Sequence, residues 1–389
     1  MRTAVLLAAA LLLTAFVYWH GLSGGYVFDD FPNIVDNAAI QVTRSTLAAW
    51  ANAAWASPAS ELQRPLASLS FAVNWFFSGN DPRPMKATNL AIHLLNGVLL
   101  YFMLRELLRA LVLRRSDDRL QANSYRKSND DNGIDEAAAR RLILVVTAGW
   151  LLLPINLMAV LYVVQRMESL CQVFVLAGLW MYLAGRRRML LATGHRGFAL
   201  ASVGLIGGTV LGVLVKESAV LLPVYAFLIE VALLRFASAR TSRDRRLGVL
   251  YVCILLAPAT LGLAWLLPHV LSPSAWDDRD FTFGQRLLTE PRVLVDYLHW
   301  TVLPDPGTLS LYHDQLPISR GFLTPWTTLP AIVLLVILLG VAWWLRNRRP
   351  LVALGIAWFF AAQLLTATIV PLELVYEHRN YFASIGVLL

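Results

Sequence analysis

The chain has 389 residues, 57% of them hydrophobic and 15% charged, with a formal net charge of +8 and a mean hydropathy of +0.58. Soluble domains carry about 25% charged residues; the deficit, with long apolar runs, excludes an ordinary soluble fold and places the chain among integral membrane proteins. The Lys and Arg stand in short stretches between apolar runs, as topology signals do, which excludes nucleic acid as the reason for the positive charge.

Arg2 precedes an apolar run from Thr3 to Trp19. Such a run suits a cleaved signal peptide. It is broad, ends in aromatics and has no clean small-x-small site before Asp29-Asp30, so a signal anchor fits better. Residues 20–85 form a first outer loop. Within it, Gly25-Tyr26-Val27-Phe28-Asp29-Asp30-Phe31 sets two adjacent carboxylates among aromatics. Thr46–Trp55 reads as an amphipathic helix at the membrane surface, anchored by Trp50 and Trp55. Gln63-Arg64-Pro65-Leu66 then leads into Ser68–Phe77, an apolar run too short to span.

Asn89–Leu108 is long enough to span. Residues 105–141 follow as a cytoplasmic loop, with nine Lys/Arg against seven acids and a polar Ser124–Gly133 centre, which reads as flexible. Leu142–Leu183 and Phe198–Leu234 are each about 40 residues, twice the length of one span. Their breaks are expected near Pro154–Arg166 and at Lys216-Glu217. Arg186-Arg187-Arg188 and Arg196 lie between the two pairs, and residues 235–246 add five arginines. Leu247–Leu267 spans again. Residues 268–326 form a second large outer loop. Thr327–Leu345, the basic Arg346, Arg348 and Arg349, and Leu351–Val370 follow. Glu377-His378-Arg379-Asn380-Tyr381 then opens an apolar run that reaches Leu389 and is expected to continue beyond it. Cys171 and Cys253 read as free, membrane-buried thiols, and no internal repeat is visible.

The positive-inside rule orients this set. Arg2 and the stretches at 105–141, 186–196, 235–246 and 346–349 hold 22 of the 33 Lys and Arg. Placing them on the cytoplasmic side requires each long apolar segment to be a hairpin, giving nine spans and part of a tenth. Asp29-Asp30, Arg64, Gln165-Arg166, Lys216-Glu217, His313-Asp314 and Glu377-His378-Arg379 then fall on the outer face. Charges at span tips are costly unless paired or lining a wet cavity. A shared outer cavity is one reading; separate interface anchors and ion pairs are the other.

An outer site of carboxylates and fixed cations suits an anionic, lipid-carried substrate such as a polyprenyl-phosphate sugar. One carboxylate takes the proton of an attacking hydroxyl. Cations stabilise the departing phosphate, arginine bidentately. In an extended loop successive side chains point apart, so Asp29 and Asp30 need not share a role. Lys216-Glu217 fits an internal ion pair as well as a site. His93 fits a helix-packing hydrogen bond as well as catalysis, and His313 and Asp314 fit a solvated loop as well as a lid over a sugar. No ligand spacing demands a metal, although Asp29, Asp30 and His313 or Asp314 are suitable ligand types for Mg²⁺ or Mn²⁺.

The order of motifs resembles the GT-C superfamily of glycosyltransferases. It is closest to TMTC-like protein O-mannosyltransferases and their bacterial relatives. The resemblance is carried by Tyr26-Val27-Phe28-Asp29-Asp30-Phe31, Arg64-Pro65-Leu66, Asn89-Leu90-Ala91-Ile92-His93 and Val164-Gln165-Arg166-Met167-Glu168. Lys216-Glu217-Ser218 and Glu377-His378-Arg379-Asn380-Tyr381 continue it. It implies an all-α polytopic helical bundle with surface helices on its outer loops. It also implies a polyprenyl-phosphate sugar donor and a protein or lipid acceptor. Asp29 would be the base, with Asp30 beside it. Arg64, Arg166, Lys216 and Arg379 would grip the phosphate. His93, Gln165, Glu217, His313, Asp314, Glu377 and His378 would support the site. A bacterial inner membrane is the expected location. A lipid-linked sugar flippase and a non-catalytic membrane scaffold are the alternatives from other classes.

Overall fold

The computed structural model describes residues 2–122, 136–239, 243–305 and 307–389, and among these no strand forms. The chain is an all-α polytopic membrane protein. Seven helices are long and apolar enough to cross a bilayer, and an eighth crossing arises if Ala137–Leu152 and Pro154–Leu161, bent by 54°, count as one. Two compact units divide the chain. The first gathers residues 2–152, 157–222 and 234–244; the second gathers 153–156, 223–233 and 245–389.

The first unit begins with α1 (Arg2–Trp19), then two short helices in the outer loop, α2 (Leu47–Ala54) and α3 (Pro65–Ser78). Thr46 caps α2 through its side chain, and Pro65 opens α3 where a missing N–H costs nothing. The helix α4 (Pro82–Ala122) is continuous over 41 residues. Arg105 to Ala122 is therefore helical where its charge suggested a loop, and the Ser124–Gly133 centre lies outside the described residues. After α5 (Glu136–Leu152) the backbone breaks at Leu153, where the apolar run carries Pro154. The single turn α6 (Leu157–Leu161) bridges the break to α7 (Arg166–Leu191). Arg186-Arg187-Arg188, expected in a loop, occupy the last turns of α7, and Arg186 is fully buried with its guanidinium donating to Ala237 O at 2.8 Å.

α7 packs against α8 (Arg196–Val213) almost backbone to backbone. A Cβ on Gly204 would lie 2.7 Å from Gly178 O, and one on Gly178 would lie 2.7 Å from Gly204 O. Lipid supplies no hydrophobic drive between helices, so small residues that admit close approach hold such pairs. Gly204→Val is expected to cost about 3 kcal/mol or more by overpacking, read as a lower thermal midpoint in detergent. Gly207→Val, facing open space, serves as the near-neutral control.

The second unit takes up α9 (Leu222–Ile229) after its first residue. α10 (Arg245–Tyr251) and α11 (Ala257–Val270) follow, joined through a wide turn at Val252–Leu256 into one span. The amphipathic α12 (Phe283–Val302) is opened by a reciprocal Thr282–Gln285 capping box. α13 (Thr328–Leu345), α14 (Pro350–Ala362) and α15 (Asn380–Leu388) complete the unit around Val293, Tyr297, Phe359 and Ala383.

Leu351–Val370, expected as one span, is helical only to Ala362. Non-helical backbone that is shielded from water needs its polar groups satisfied within the protein. Arg286 supplies that satisfaction. It is fully buried on α12 and donates to Thr366 O (2.6 Å), Thr368 O (3.0 Å) and Leu372 O (2.5 Å). Glu290, one turn on, sits 2.8 Å from the same guanidinium.

Burial pushes Glu290 up to about 7, against the pull of Arg286 and Arg379. A carboxyl raised on folding is favoured in its protonated form. Its contribution to stability is present below the unfolded value of about 4.3 and is lost as pH rises through about 7. Glu290→Gln should therefore flatten the fall in thermal midpoint between acidic and mildly alkaline buffer and raise the midpoint on the alkaline side.

Candidate functional site

The acidic pair lies in the first unit, and the fold separates its two members. Asp30 is fully buried. Its Oδ2 accepts from Val27 N–H at 3.0 Å, and its Oδ1 accepts from Val164 N–H at 2.7 Å. The second bond ties the outer loop to the break that precedes α7. Burial pushes Asp30 up to about 6, opposed by these backbone donors and by the Lys86 charge.

Asp29 is exposed. Its N–H donates to the Tyr162 hydroxyl at 2.9 Å, and its carbonyl accepts from Asn33 Nδ2 at 2.9 Å. Its carboxylate is also within reach of that hydroxyl. Phe28, just before it, has φ of +41°, a left-handed conformation that costs a non-glycine residue about 1–3 kcal/mol. The segment is a turn rather than the extended loop expected from the sequence. The pair diverges because both carboxylate oxygens of Asp30 are clamped by backbone N–H groups, whereas no backbone N–H clamps the exposed Asp29 carboxylate.

Arg166 organises the floor beneath this turn. It is fully buried and lies 4.7 Å over the Phe71 ring. Its donors reach Asn89 Oδ1 (2.7 Å), Ser70 O (2.8 Å) and Met85 O (2.9 Å), which locks α3, α4 and α7 together. Asn89 in turn donates to Val163 O at 3.2 Å. Arg166, expected to grip a phosphate, is instead spent on backbone carbonyls.

Arg64 and Lys216 are also paired. Arg64 faces Glu217 with Nε at 3.2 Å and Nη2 at 2.7 Å, and Ser60 bonds the same carboxylate. Lys216 meets Glu168 at 3.0 Å. Neighbours in sequence, Lys216 and Glu217 therefore pair with other residues and not with each other. Arg64 also touches Met167 Sδ at 3.1 Å, which places both ion pairs beside the first turn of α7. Gln165, half-buried, precedes that turn without capping it through its side chain.

His93 is fully buried, with Nε2–H donating to Leu151 O at 3.0 Å and its ring between Tyr18 and Trp150. Its place is helix packing, one of the two readings its position allowed.

The remaining expected site residues gather in the second unit. His313 Nε2 lies 3.0 Å from the buried Glu377 carboxylate, and the His313 ring stacks on Trp300. Ser310 N–H donates to the same Glu377 oxygen at 2.6 Å. Arg379 donates to Leu374 O at 3.0 Å and covers the Tyr376 ring, on which His378 also stacks. Asp314 is exposed and lines a cavity of about 380 Å³ with His313, Tyr312 and Asp280. Among the described residues, no three His, Cys, Asp or Glu side chains converge to hold a metal ion. Cys171 and Cys253 are free thiols, the first buried and the second exposed.

Lys86 escaped the sequence reading altogether, and Tyr26 was read there only as a flanking aromatic. Lys86, at the start of α4, is 5% exposed, and Asp30 is the charge it answers to. Its Nζ packs so closely on Gly24 that a Cβ there would lie 2.8 Å away. The Tyr26 hydroxyl is buried without a hydrogen-bond partner among the described residues. A lone Lys at a span entrance resembles an ordinary interface anchor, so only its burial beside Asp30 reveals it.

Comparison with known proteins adds to this geometry. The chain is 31% identical over 87 residues to the human protein O-mannosyl-transferase TMTC3, and 30% identical over 92 residues to the mouse protein of the same name. The chain is similar in part to a glycosyltransferase. The matches cover 21% and 22% of this chain and 10% of each of those proteins. The chain thus spans about a tenth of the length of the curated relatives it matches. No family model and no solved structure matches.

Proposed function

We propose that the chain is a glycosyltransferase of GT-C type that moves a sugar from a polyprenyl-phosphate donor to an acceptor hydroxyl at the extracytoplasmic face. One observation carries the reading. An exposed carboxylate, Asp29, is held beside a buried one, Asp30, at a break in the membrane helices. Asp29 removes the proton of the acceptor hydroxyl as its oxygen bonds to the anomeric carbon. The bond from that carbon to the phosphate oxygen breaks, and the phosphate departs with the electron pair. Attack opposite the leaving group inverts the anomer. Lys86 lies near enough to the acidic turn to offset the phosphate charge. Asp30 and Tyr162 position Asp29. The acceptor is a protein or lipid hydroxyl, and the membrane is a bacterial inner membrane, in keeping with the arginines gathered at the helix ends.

The test uses purified protein in liposomes, a labelled prenyl-phosphate sugar and a cell-envelope extract as acceptor source. Donor should be consumed and product formed with the opposite anomeric configuration. Retained configuration, or vesicle translocation of the donor without its consumption, overturns the proposal. A non-catalytic scaffold is the second reading, favoured by the pairing of Arg64, Arg166 and Lys216 inside the fold. It requires that no donor be consumed under any acceptor condition.

A further inference from the structure

The chain leaves α1 through one tight turn, His20–Ser23, which Gly24 closes with its N–H on Gly21 O at 3.4 Å. Two glycines dock this turn within the first unit. A Cβ on Gly21 would run into the Leu161 side chain at the end of α6, one residue before the Tyr162 that holds Asp29. A Cβ on Gly24 would lie 2.8 Å from Lys86 Nζ on α4. The missing side chain at position 24 is what lets the amine lie so close to the backbone.

Lys86 is buried, and its amine has no hydrogen bond or ion pair among the described residues. Asp30, the acid it faces, has both carboxylate oxygens on the N–H groups of Val27 and Val164. Asp30 also lies in the field of the buried Arg166. Lys86 and Arg166 thus set two buried cations against one buried carboxylate, while Asp29 and Asp81 stand exposed. A buried ammonium without an acceptor is costly, and an anionic oxygen beside it removes that cost. The next two backbone donors, Gly25 N–H and Tyr26 N–H, also carry no hydrogen bond among the described residues. Successive backbone N–H groups beside a lysine amine suit a phosphate.

We propose that the donor's phosphate is seated on the Lys86 amine and the Gly25 and Tyr26 N–H groups, and that Gly24 is a positioning residue that sets where the amine stands. The identity of the ligand rests on the transferase reading. Three other cations expected to grip it are committed elsewhere: Arg64 to Glu217, Lys216 to Glu168, and Arg166 to Asn89 and two carbonyls. Alanine suits the backbone at position 24, whose φ of −66° and ψ of 154° any residue adopts. Its Cβ would displace only the end of a flexible side chain. The cost therefore falls on the ligand and not on the fold.

The test titrates a short-chain prenyl monophosphate, and separately the matching prenyl alcohol, into the full chain in nanodiscs. The wild type should prefer the phosphate. Gly24→Ala should lower that preference roughly tenfold, the loss of one charge-assisted hydrogen bond. It should raise the donor KM by a similar factor and leave the thermal midpoint unchanged. Gly25→Ala keeps its N–H, and its Cβ meets nothing within 4 Å, so it should match the wild type. In a Lys86→Gln background Gly24→Ala should cost nothing further, because it acts through the amine. The seat is overturned by equal preference in Gly24→Ala and wild type, by no preference in wild type, by equal loss in Gly25→Ala, or by full additivity with Lys86→Gln. Inorganic phosphate binding as tightly as the prenyl phosphate would make it a free-phosphate seat and overturn the assignment to the donor. A wild type that shows the whole pattern but consumes no sugar donor keeps the seat and removes the transferase reading. Sugar transfer with the same donor KM in wild type and Gly24→Ala does the converse.

Discussion

Asp29→Asn is expected to lower sugar transfer by about 10²–10⁴-fold, the usual contribution of a positioned general base, with yield, membrane insertion and thermal midpoint unchanged. The exposed carboxylate accepts no backbone donor that the amide would forfeit, and the bond from Asp29 N–H to the Tyr162 hydroxyl survives the change. Asp30→Asn should fail differently. Its two oxygens accept two separate N–H groups, from Val27 and Val164. An amide has one acceptor oxygen and would turn its NH₂ against the other donor, leaving a buried N–H unsatisfied at about 1–3 kcal/mol. The expected signature is a lower thermal midpoint together with lower activity.

The two variants also separate by pH. Burial raises Asp30 from 3.8 to about 6, so its ionisation opposes folding. The stability associated with the protonated form is lost as pH rises through about 6. Asp30→Asn should remove that slope, and Asp29→Asn should keep it. Transfer by Asp29→Asn at the wild-type rate would place the base elsewhere.

The divergence of two adjacent aspartates depends on a contact that sequence spacing does not reveal. Val164 lies 134 positions from Asp30, and their bond exists because the long apolar segment breaks where Pro154 and Arg166 interrupt it. The break itself was legible, since an apolar run twice the length of a bilayer crossing must fold back. The break at Lys216-Glu217 was legible for the same reason. The partners were not. Arg64 and Glu217 are 153 residues apart, and which cation meets which carboxylate depends on how the helix ends pack.

Two further features were written in the chain and went unread. Gly197, Gly204, Gly208 and Gly212 recur along one stripe of α8, the pattern that close helix packing in lipid requires. Gln363, Thr366 and Thr368 interrupt Leu351–Val370 with groups that bond locally, Thr366 Oγ1 to Gln363 Oε1 at 3.0 Å and Thr368 Oγ1 to Leu364 O. Mean apolarity carried that segment past the length of a span and hid the unwinding.

Arg166 gives the sharpest test of where the cations act. A guanidinium that grips a phosphate needs donors not already committed to the fold. Arg166 is fully buried and donates to two backbone carbonyls and Asn89. Arg166→Met should therefore cost about 3 kcal/mol or more by stranding several buried acceptors, seen as a steep drop in thermal midpoint and in folded yield. Arg166→Lys keeps the charge but cannot reach three acceptors in a plane, and should recover only part of the loss. Lys86→Gln should differ. It removes the cation that faces buried Asp30 and should lower the midpoint less than Arg166→Met does, while raising the donor KM about tenfold or more, the loss of one charge-assisted hydrogen bond to phosphate. A folded Arg166→Met protein with a raised donor KM, beside an unaffected Lys86→Gln, would return the phosphate contact to Arg166 and remove Lys86 from the site.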